Sequence, residues 1–380
     1  MAGPLEGVKV VELAGLGAAP FCGMVLADLG AEVVRIDRAE AVTGAHDEST
    51  RYELHNRGKQ SIGVDLKHQD GVEVVLRLVE AADGLIEGFR PGVTERLGIG
   101  PATCLARNPG LVYGRMTGWG QDGPLAARAG HDIDYIALSG ALHAIGPEDR
   151  PLPPLNLVGD FGGGGMLLVV GLLAAMLNAR ETGEGQVVDA AMVDGSALLT
   201  ISMHGYLAEG FWTDSREANL LDGGAPFYSV YETADGGHVA VGALEPKFFA
   251  ALLEGLGIEP GIAPGQQDRD AWPELRAILA SRFLEKTRDE WAEHFEGLDA
   301  CVAPVLGALQ APAHPHNRSR DVFVDVDGVT QPAPSPRFSS TPTSLPTAPS
   351  YPGRDTDRLL ETLGYSQDDA SMLRRVGAVA

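Results

Sequence analysis

The stretch VKVVELAGLGAAPFCGMVLADLGAEVVRID, residues 8–37, decides the fold of this chain. Residues 8–13 are rich in β-formers, residues 21–29 have the composition of a helix, and residues 31–36 form a second short apolar run. Short apolar runs on either side of a helical segment are typical of two parallel strands joined by a crossover helix. The stretch therefore predicts an α/β fold built on a parallel sheet.

The turn after the first strand partly matches a dinucleotide-binding fingerprint. Gly15 and Gly17 have the required spacing and Asp37 follows at the expected distance, but Pro20 occupies the place of the third glycine. Arg38 directly after the second strand favours a phosphate group over a bare ribose. A NAD(P) oxidoreductase is therefore an open interpretation, which the proline and the lack of a hydride-relay arrangement weaken.

A second stretch, PLNLVGDFGGGGMLLVVGLLAAMLNAR at residues 154–180, places Asp160 ahead of a glycine run and a strongly apolar segment. We predict a strand or loop that enters a buried helix. Residues 162–165 carry no side chains, so backbone or ligand can approach closely there, and a helix start favours an anionic group. Taken alone, Asp160 is more simply explained as a helix N-cap.

Composition narrows the class of protein. The chain has 380 residues, 44% of them hydrophobic, and its 29 basic and 52 acidic residues give a net charge of -23, which argues against nucleic acid or an anionic membrane as partner. Its three cysteines are far apart and form no CxxC pair, so we expect no disulfide framework, no metal site and a cytoplasmic location. The longest apolar run, residues 166–177, is shorter than a membrane span requires.

The order of the patterns predicts four segments. Residues 1–190 form a large α/β domain, residues 191–226 a linker helix and loop, residues 227–320 a small α+β domain, and residues 321–380 a proline-rich return segment with terminal helices that pack on the large domain. The small domain contains a hairpin signal at residues 227–243, and Glu245 and Pro246 begin a helix directly after it.

Cations occur in loops after successive predicted strands, where an open parallel sheet binds ligands. They are Arg38, Arg51, Arg57, Lys59, Arg90 and Arg96, of which three lie in a loop at residues 41–60 that we predict to be exposed. Scattered surface charge explains the same pattern equally well.

Long ordered motifs between residue 5 and about residue 306 resemble the α-methylacyl-CoA racemase branch of the family III CoA-transferase (CaiB/BaiF) superfamily. The matching motifs are VVELAGLGAAPFCGMVLADLGAEVVRIDR, IEGFRPGVTERLGIGP, RMTGWGQDGP, AGHDIDYIALSG, PLNLVGDFGGG, GEGQVVDAAMVDG, LDGGAPFYSVYETADG, AVGALEPKFF and DACVAPVL. Two positions depart from the pattern: Asp134 stands where the racemases usually have asparagine, and Glu184 where many have lysine.

The resemblance implies a Rossmann-like large domain that binds coenzyme A, a smaller α+β domain and an interlocked homodimer. It implies His131 and Asp160 as two acid/base groups, with Glu245 as the partner of the histidine and Asn156 beside the aspartate. Together with the loop arginines, it gives as expected acyl-CoA contacts Arg38, Gly63, Val64, Asp65, Leu66, Arg90, Arg96, Gly130, Asp132, Ile133, Asp134 and Tyr135. No cofactor is expected beyond the CoA moiety of the substrate.

The chemistry of such a reaction is consistent with these residue types. Inverting a stereocentre beside a thioester carbonyl requires removal of a proton from one face and its return on the other, hence two acid/base groups. A histidine serves near neutral pH, and an aspartate does so if its surroundings raise its pKa. We therefore expect interconversion of (2R)- and (2S)-2-methylacyl-CoA thioesters in lipid or fatty-acid metabolism. The identity of the acyl group is left open. Four methionines either line the surface that binds it or belong to the core: Met24, Met116, Met166 and Met192.

Beside the oxidoreductase considered above, a CoA-transferase is the alternative. In a CoA-transferase of the same superfamily, Asp160 would act as a nucleophile and form an acyl anhydride. That chemistry does not require the histidine of the GHDIDY motif.

Overall fold

The structure is a computed structural model that describes residues 3–42, 48–259 and 261–380. Contacts divide the chain into two units, one formed by Met1–Ser139, Leu155–Leu199 and Ser319–Ala380, the other by Gly140–Pro154 and Thr200–Arg318. Residues 140–154, which lie within the large domain expected from the sequence, thus group with the second unit.

A six-stranded parallel sheet forms the centre of the first unit, which confirms the predicted α/β class. Its order, β3-β2-β1-β4-β5-β6, is that of doubly wound nucleotide-binding folds, in which the order reverses beside β1 and ligands bind at the carboxyl ends of the strands. The strands are β1 Lys9–Leu13, β2 Glu32–Arg38, β3 Gln60–Val64, β4 Gly84–Glu87, β5 Val112–Thr117 and β6 Val187–Ala191.

Helices cover both faces of this sheet. They are α1 Ala18–Asp28, α2 Gln69–Glu80, α3 Val93–Arg96, α4 Pro101–Arg107, α5 Asp132–Leu138, α6 Leu167–Thr182 and α7 Met192–Leu199. Because side chains alternate along a strand, Val11 and Leu13 of β1 enter one apolar core, whereas Val10 enters the other. β6 is the last strand of the sheet, and its Val187 is exposed.

The glycine run lies inside a helix and not in a loop before one, contrary to the prediction. Leu157–Met166 has π-helical geometry and continues directly into α6. A Cβ atom at Gly163 would lie 2.6 Å from the Ser196 backbone nitrogen, and one at Gly165 would lie 2.9 Å from the Ala18 carbonyl oxygen. The space that the glycines leave open is therefore filled by the backbones of α1 and α7.

The helix that contains the apolar run of residues 166–177 is longer than the run itself. Among the described residues one helix, Leu157–Thr182, is long and apolar enough to cross a bilayer by length and composition, a property that core helices share. Leu168 and Leu172 of this helix are buried against Gly114 of β5. Only 39% of its most apolar window is buried, so the predicted buried helix has one apolar side exposed.

Two cations predicted to be free in an exposed loop are instead buried. The Lys59 ammonium group donates to both carboxylate oxygens of Glu12, at 2.7 and 2.8 Å, and to the Pro20 carbonyl at 2.8 Å. Arg57 forms a buried ion pair with Asp28. Both cations are therefore paired within the first unit. Residues 43–47 of the same predicted loop lie outside the described residues.

The second unit contains the predicted hairpin within a three-stranded antiparallel sheet, ordered β7-β8-β9. Phe227, Trp272, Phe283 and Trp291 dominate its apolar core. Its elements are α8 Ile201–Glu209, β7 Tyr228–Glu232, β8 His238–Gly242, α9 Pro246–Gly255, α10 Trp272–Phe283, α11 Arg288–His294 and β9 Val302–Pro304, followed at its end by α12 Pro315–Ser319.

The last part of the chain belongs to the first unit. Its elements are β10 Phe323–Val326, β11 Val329–Pro332, α13 Thr356–Thr362 and α14 Gln367–Arg375. Leu359, Leu360 and Leu373 complete the core on one face of the six-stranded sheet. The chain end pairs beside β3, where the Ala380 amide donates to the Gly63 carbonyl at 3.1 Å.

Substitution Gly195→Ala should destabilise the protein, because a Cβ atom there would lie 1.8 Å from the Gly163 carbonyl oxygen. We expect the free energy of unfolding to fall by about 3 kcal/mol, typical of an overpacked backbone contact. Urea denaturation measures this change. Gly205→Ala in α8 is the matched control, since a Cβ atom there meets no atom within 4 Å; equal effects of the two substitutions would contradict the packing argument.

Candidate active site

A cleft of about 450 Å³ opens in the first unit where β1, β4 and β5 end. It is lined by the turn that leads into α1, by residues 88–90 after β4, by residues 116–119 and 128–131, and by Tyr135, Asp160 and Met192. His131 and Asp160 thus line one cavity, although 28 residues separate them in the chain. The fold brings together the two groups that sequence analysis selected as acids or bases.

His131 directly precedes α5 and is exposed on the wall of the cleft. Its backbone amide donates to the Asp134 carboxylate at 2.9 Å. The Tyr135 hydroxyl donates to the Gly130 carbonyl, and the tyrosine ring packs edge-on against Trp119 at 4.7 Å. These contacts fix the backbone on both sides of the imidazole, so Asp134 acts here as a helix-capping group.

Asp160 lies in the first turn of the π-helical segment, and three neighbours hold it. Its amide donates to Oδ1 of Asp132 at 2.6 Å. The Asn156 side-chain amide donates to Oδ2 of Asp160 at 3.2 Å, as expected for the predicted neighbour. Gly17 has a left-handed φ of 70°, and a Cβ atom there would lie 3.1 Å from Oδ2 of Asp160. The carboxylate is therefore confined between α1 and α5.

The pKa of Asp160 is raised above its ordinary value, as the sequence analysis required of an aspartate with this role. Burial is the largest cause, and the negative charge of Asp132 acts in the same direction. The hydrogen bond from Asn156 and the nearby His131 oppose the shift by favouring the ionised form. A carboxyl group in such a setting holds its proton closer to neutral pH than a free one.

A second cavity, of about 550 Å³, lies at the ends of β1, β2 and β3. Four of the expected CoA contacts line it, namely Arg38, Val64, Asp65 and Leu66. Phe89 lines this cavity and also the cleft of His131, so the two are neighbours along one edge of the sheet. Lys67 adds a second cation that sequence analysis did not select.

Several other expected CoA contacts have different surroundings. Gly63 faces Val42, since a Cβ atom would lie 2.4 Å from its Cγ2 atom, and its carbonyl pairs with the chain end. Arg96 is exposed and lines neither cavity. Ile133 is 45% exposed and also lines neither cavity. Asp132 is buried behind Asp160 and is not an open contact surface. Arg90, Gly130 and Tyr135 line the cleft of His131.

Glu245 belongs to the second unit, where it is exposed and directly precedes α9. Its pairing with His131 stays a prediction.

Sequence reasoning missed part of the cleft wall. Trp119 and Arg128 line the cleft and were not predicted. Of the four methionines that the sequence suggested for an acyl surface, Met116 and Met192 also line it. Met24 packs in the core of the sheet instead, and Met166 is exposed. Their positions in the sequence could have indicated this role for Trp119 and Arg128. Trp119 lies in the RMTGWGQDGP motif, and Arg128 comes just before His131.

Asp160→Asn should change how stability depends on pH. Because burial raises the pKa of Asp160, the ionised carboxylate is less favourable in the folded than in the unfolded chain. The parent protein should therefore lose stability relative to the variant as pH rises from the ordinary pKa of aspartate through the raised pKa of Asp160. At pH values below both of these pKa values no such loss is expected. Melting temperatures measured from acidic to neutral pH test this, and Asp149→Asn, at an exposed site, controls for net charge. A Tm difference for Asp160→Asn that is constant across this range would contradict the argument.

Comparison with known proteins agrees with this geometry. Residues 5–356 match CoA-transferase family III. The chain is 47% identical to alpha-methylacyl-CoA racemase of Mus musculus and 43% identical to that of Homo sapiens, in each case covering 97% of this chain and 96% of the relative. A crystal structure of a CAIB/BAIF family protein from Brucella suis superimposes with a TM-score of 0.82 at 28% identity, over 96% of this chain and 100% of that one. With its family matched over most of its length and its fold shared with a solved member, this chain belongs to CoA-transferase family III.

Proposed function

We propose that this chain is an α-methylacyl-CoA racemase, which interconverts the (2R) and (2S) epimers of 2-methylacyl-CoA thioesters. The observation that carries the proposal is the pair His131 and Asp160 in one cleft, the aspartate with a raised pKa. Similarity to two proteins that bear this name supports it.

In the proposed reaction one of the two groups removes the proton at C2 and the electron pair moves into the thioester carbonyl as an enolate. The other group then donates a proton to the opposite face of C2, which restores the carbonyl and inverts the centre. For one epimer neutral His131 is the base and protonated Asp160 the acid, and for the other epimer the roles are exchanged. The raised pKa of Asp160 brings its protonation closer to that of a histidine, so both roles are accessible near neutral pH.

The enolate oxygen needs a hydrogen-bond donor in the cleft. The amides of His131 and Asp160 already donate to carboxylates. The Asp132 amide, at the first position of α5, has no backbone acceptor among the described residues and is the donor that we propose.

The second cavity is suited to the CoA moiety, with the reacting thioester beyond Phe89 in the cleft of His131. Arg38 and Lys67 would face the phosphate groups, and the reaction needs no cofactor beyond the CoA that the substrate carries. Met116 and Met192 form an adaptable apolar surface for a branched fatty-acyl chain. A role in cytoplasmic lipid metabolism stays a prediction.

His131→Ala and Asp160→Ala should each abolish racemisation, because each removes one of the two proton carriers. Proton NMR of an enantiopure 2-methylacyl-CoA in heavy water follows loss of the C2 proton and appearance of the second epimer. Arg150→Ala, at an exposed position outside both cavities, is the control and should retain activity. Full activity of either active-site variant would refute the assignment.

A CoA-transferase reaction is the alternative. There the ionised Asp160 would attack the thioester carbonyl, which forms an acyl anhydride and releases CoA. A second carboxylate would then displace the first acid from the anhydride, and attack by CoA would give the new acyl-CoA and regenerate Asp160. The raised pKa of Asp160 disfavours the ionised nucleophile, and the reaction does not use His131. No C2 exchange, together with formation of a new acyl-CoA when a free carboxylic acid is added, would favour the transferase.

We also propose that the protein is a homodimer in which Glu245 reaches the His131 of the partner. Leu157, Met166, Val170 and Leu177 expose an apolar surface along one helix, of the kind that an interface covers.

Mixing inactive His131→Ala and Glu245→Ala variants should restore activity if sites are shared between chains. Each mixed dimer then has one intact site, so with random reassociation about a quarter of the parent activity is expected. A mixture of His131→Ala with Asp160→Ala is the control and should stay inactive, because both residues lie in one unit. If the first mixture is as inactive as the control, Glu245 does not act across the dimer.

A further inference from the structure

Asp132 is buried beside the proposed reaction site and contacts the backbone of Asp160. It is 8% exposed, and its Oδ1 atom accepts the Asp160 amide at 2.6 Å. Gly159 makes this approach possible, since a Cβ atom there would lie 2.4 Å from Oδ1 of Asp132. The contact joins α5 to the π-helical segment, and so joins the residue next to His131 to Asp160.

The other carboxylate oxygen of Asp132 has no partner. Oδ2 is buried and accepts no hydrogen bond from any of the described residues. A buried carboxylate with one unpaired oxygen is costly for stability, because it has lost water and gained only one donor. A structural link alone would be served better by asparagine, whose oxygen accepts the same amide without a charge.

The charge of Asp132 acts on Asp160. The other groups that face Asp160 are His131 on the same turn as Asp132, Asn156 on the π-helical segment, and Tyr135 on α5; Gly17 of the α1 turn adds no charge. Arg90 lines the same cleft and faces Tyr135. Among these groups, Asp132 is the one whose charge raises the pKa of Asp160, while Asn156 and His131 lower it.

We propose that Asp132 is a positioning residue that ties Asp160 to the turn of His131 and places a buried negative charge beside the Asp160 carboxyl group. This inference rests on the proposed function, in which Asp160 must hold a proton for one epimer. The link sets the spacing of the two groups, and the charge adds to burial in favouring the protonated form of Asp160.

Two substitutions separate the link from the charge. Asp132→Asn keeps an acceptor oxygen for the Asp160 amide and removes the charge, whereas Asp132→Ala removes both. The titration of the Asp160 carboxyl is followed by carbon-13 NMR in the full-length protein without substrate, with Asp160→Asn to assign the signal. Asp134→Asn, on the same helical turn and with the same change in charge, is the matched control for the titration.

We expect the Asp160 titration to move to lower pH in Asp132→Asn and to stay in place in Asp134→Asn. We expect kcat for racemisation to fall further in Asp132→Ala than in Asp132→Asn, by about tenfold to a hundredfold, because a displaced acid loses its alignment with C2. Thermal melting checks that Asp132→Asn remains folded, which its retained acceptor favours.

An unchanged Asp160 titration in Asp132→Asn would overturn the role of the charge, and equal kcat values for the two variants would overturn that of the link. Failure of the proposed function is a separate result: Asp160→Ala would then racemise normally, whereas the titration is read without any reaction.

Discussion

The close backbone packing of the glycine-rich π-helical segment is the constraint on which the rest of the site depends. Gly163 and Gly195 meet so closely that neither position has room for a Cβ atom. Only glycine allows three helical backbones to approach in this way. The segment carries Asp160, so the packing of these glycines against α1 and α7 sets the depth of the carboxyl group in the cleft. π-Helical turns are uncommon and occur frequently at functional sites.

The opposite wall of the cleft is held by buried charge. Lys59 uses its ammonium group to join Glu12 of β1 to the Pro20 carbonyl in the first turn of α1. Gly23 leaves space for this pair, since a Cβ atom there would lie 1.7 Å from Oε2 of Glu12. Buried ion pairs contribute little net stability, but breaking one is costly, so the pair favours one position of α1. That position places Gly17 against Asp160.

The two proposed acid/base groups have contrasting surroundings. His131 is exposed at a helix start whose backbone is fixed by Asp134 and Tyr135. Asp160 is partly buried, and the pKa of its carboxyl is raised by that burial and by Asp132. Different environments of this kind allow a carboxyl group and an imidazole to share one proton-transfer task. The neighbouring cavity beside Phe89 adds room for a long substrate at the same edge of the sheet.

The sequence by itself determined the α/β class, the two strands and the helix within residues 8–37, and the hairpin, because apolar periodicity and turn residues are local signals. Through its resemblance to a family it also identified His131, Asp160 and Asn156, which the fold brings to one site. It could not show that the glycines contact backbone, that Lys59 and Arg57 are buried, or that Asp132 holds Asp160. Those facts depend on which distant segments pack together, and Asp132 and Asp160 meet only after α5 and the π-helical segment are docked on the sheet. Tertiary structure alone decides such contacts, because burial and charge pairing are set by neighbours in space and not by neighbours in the chain.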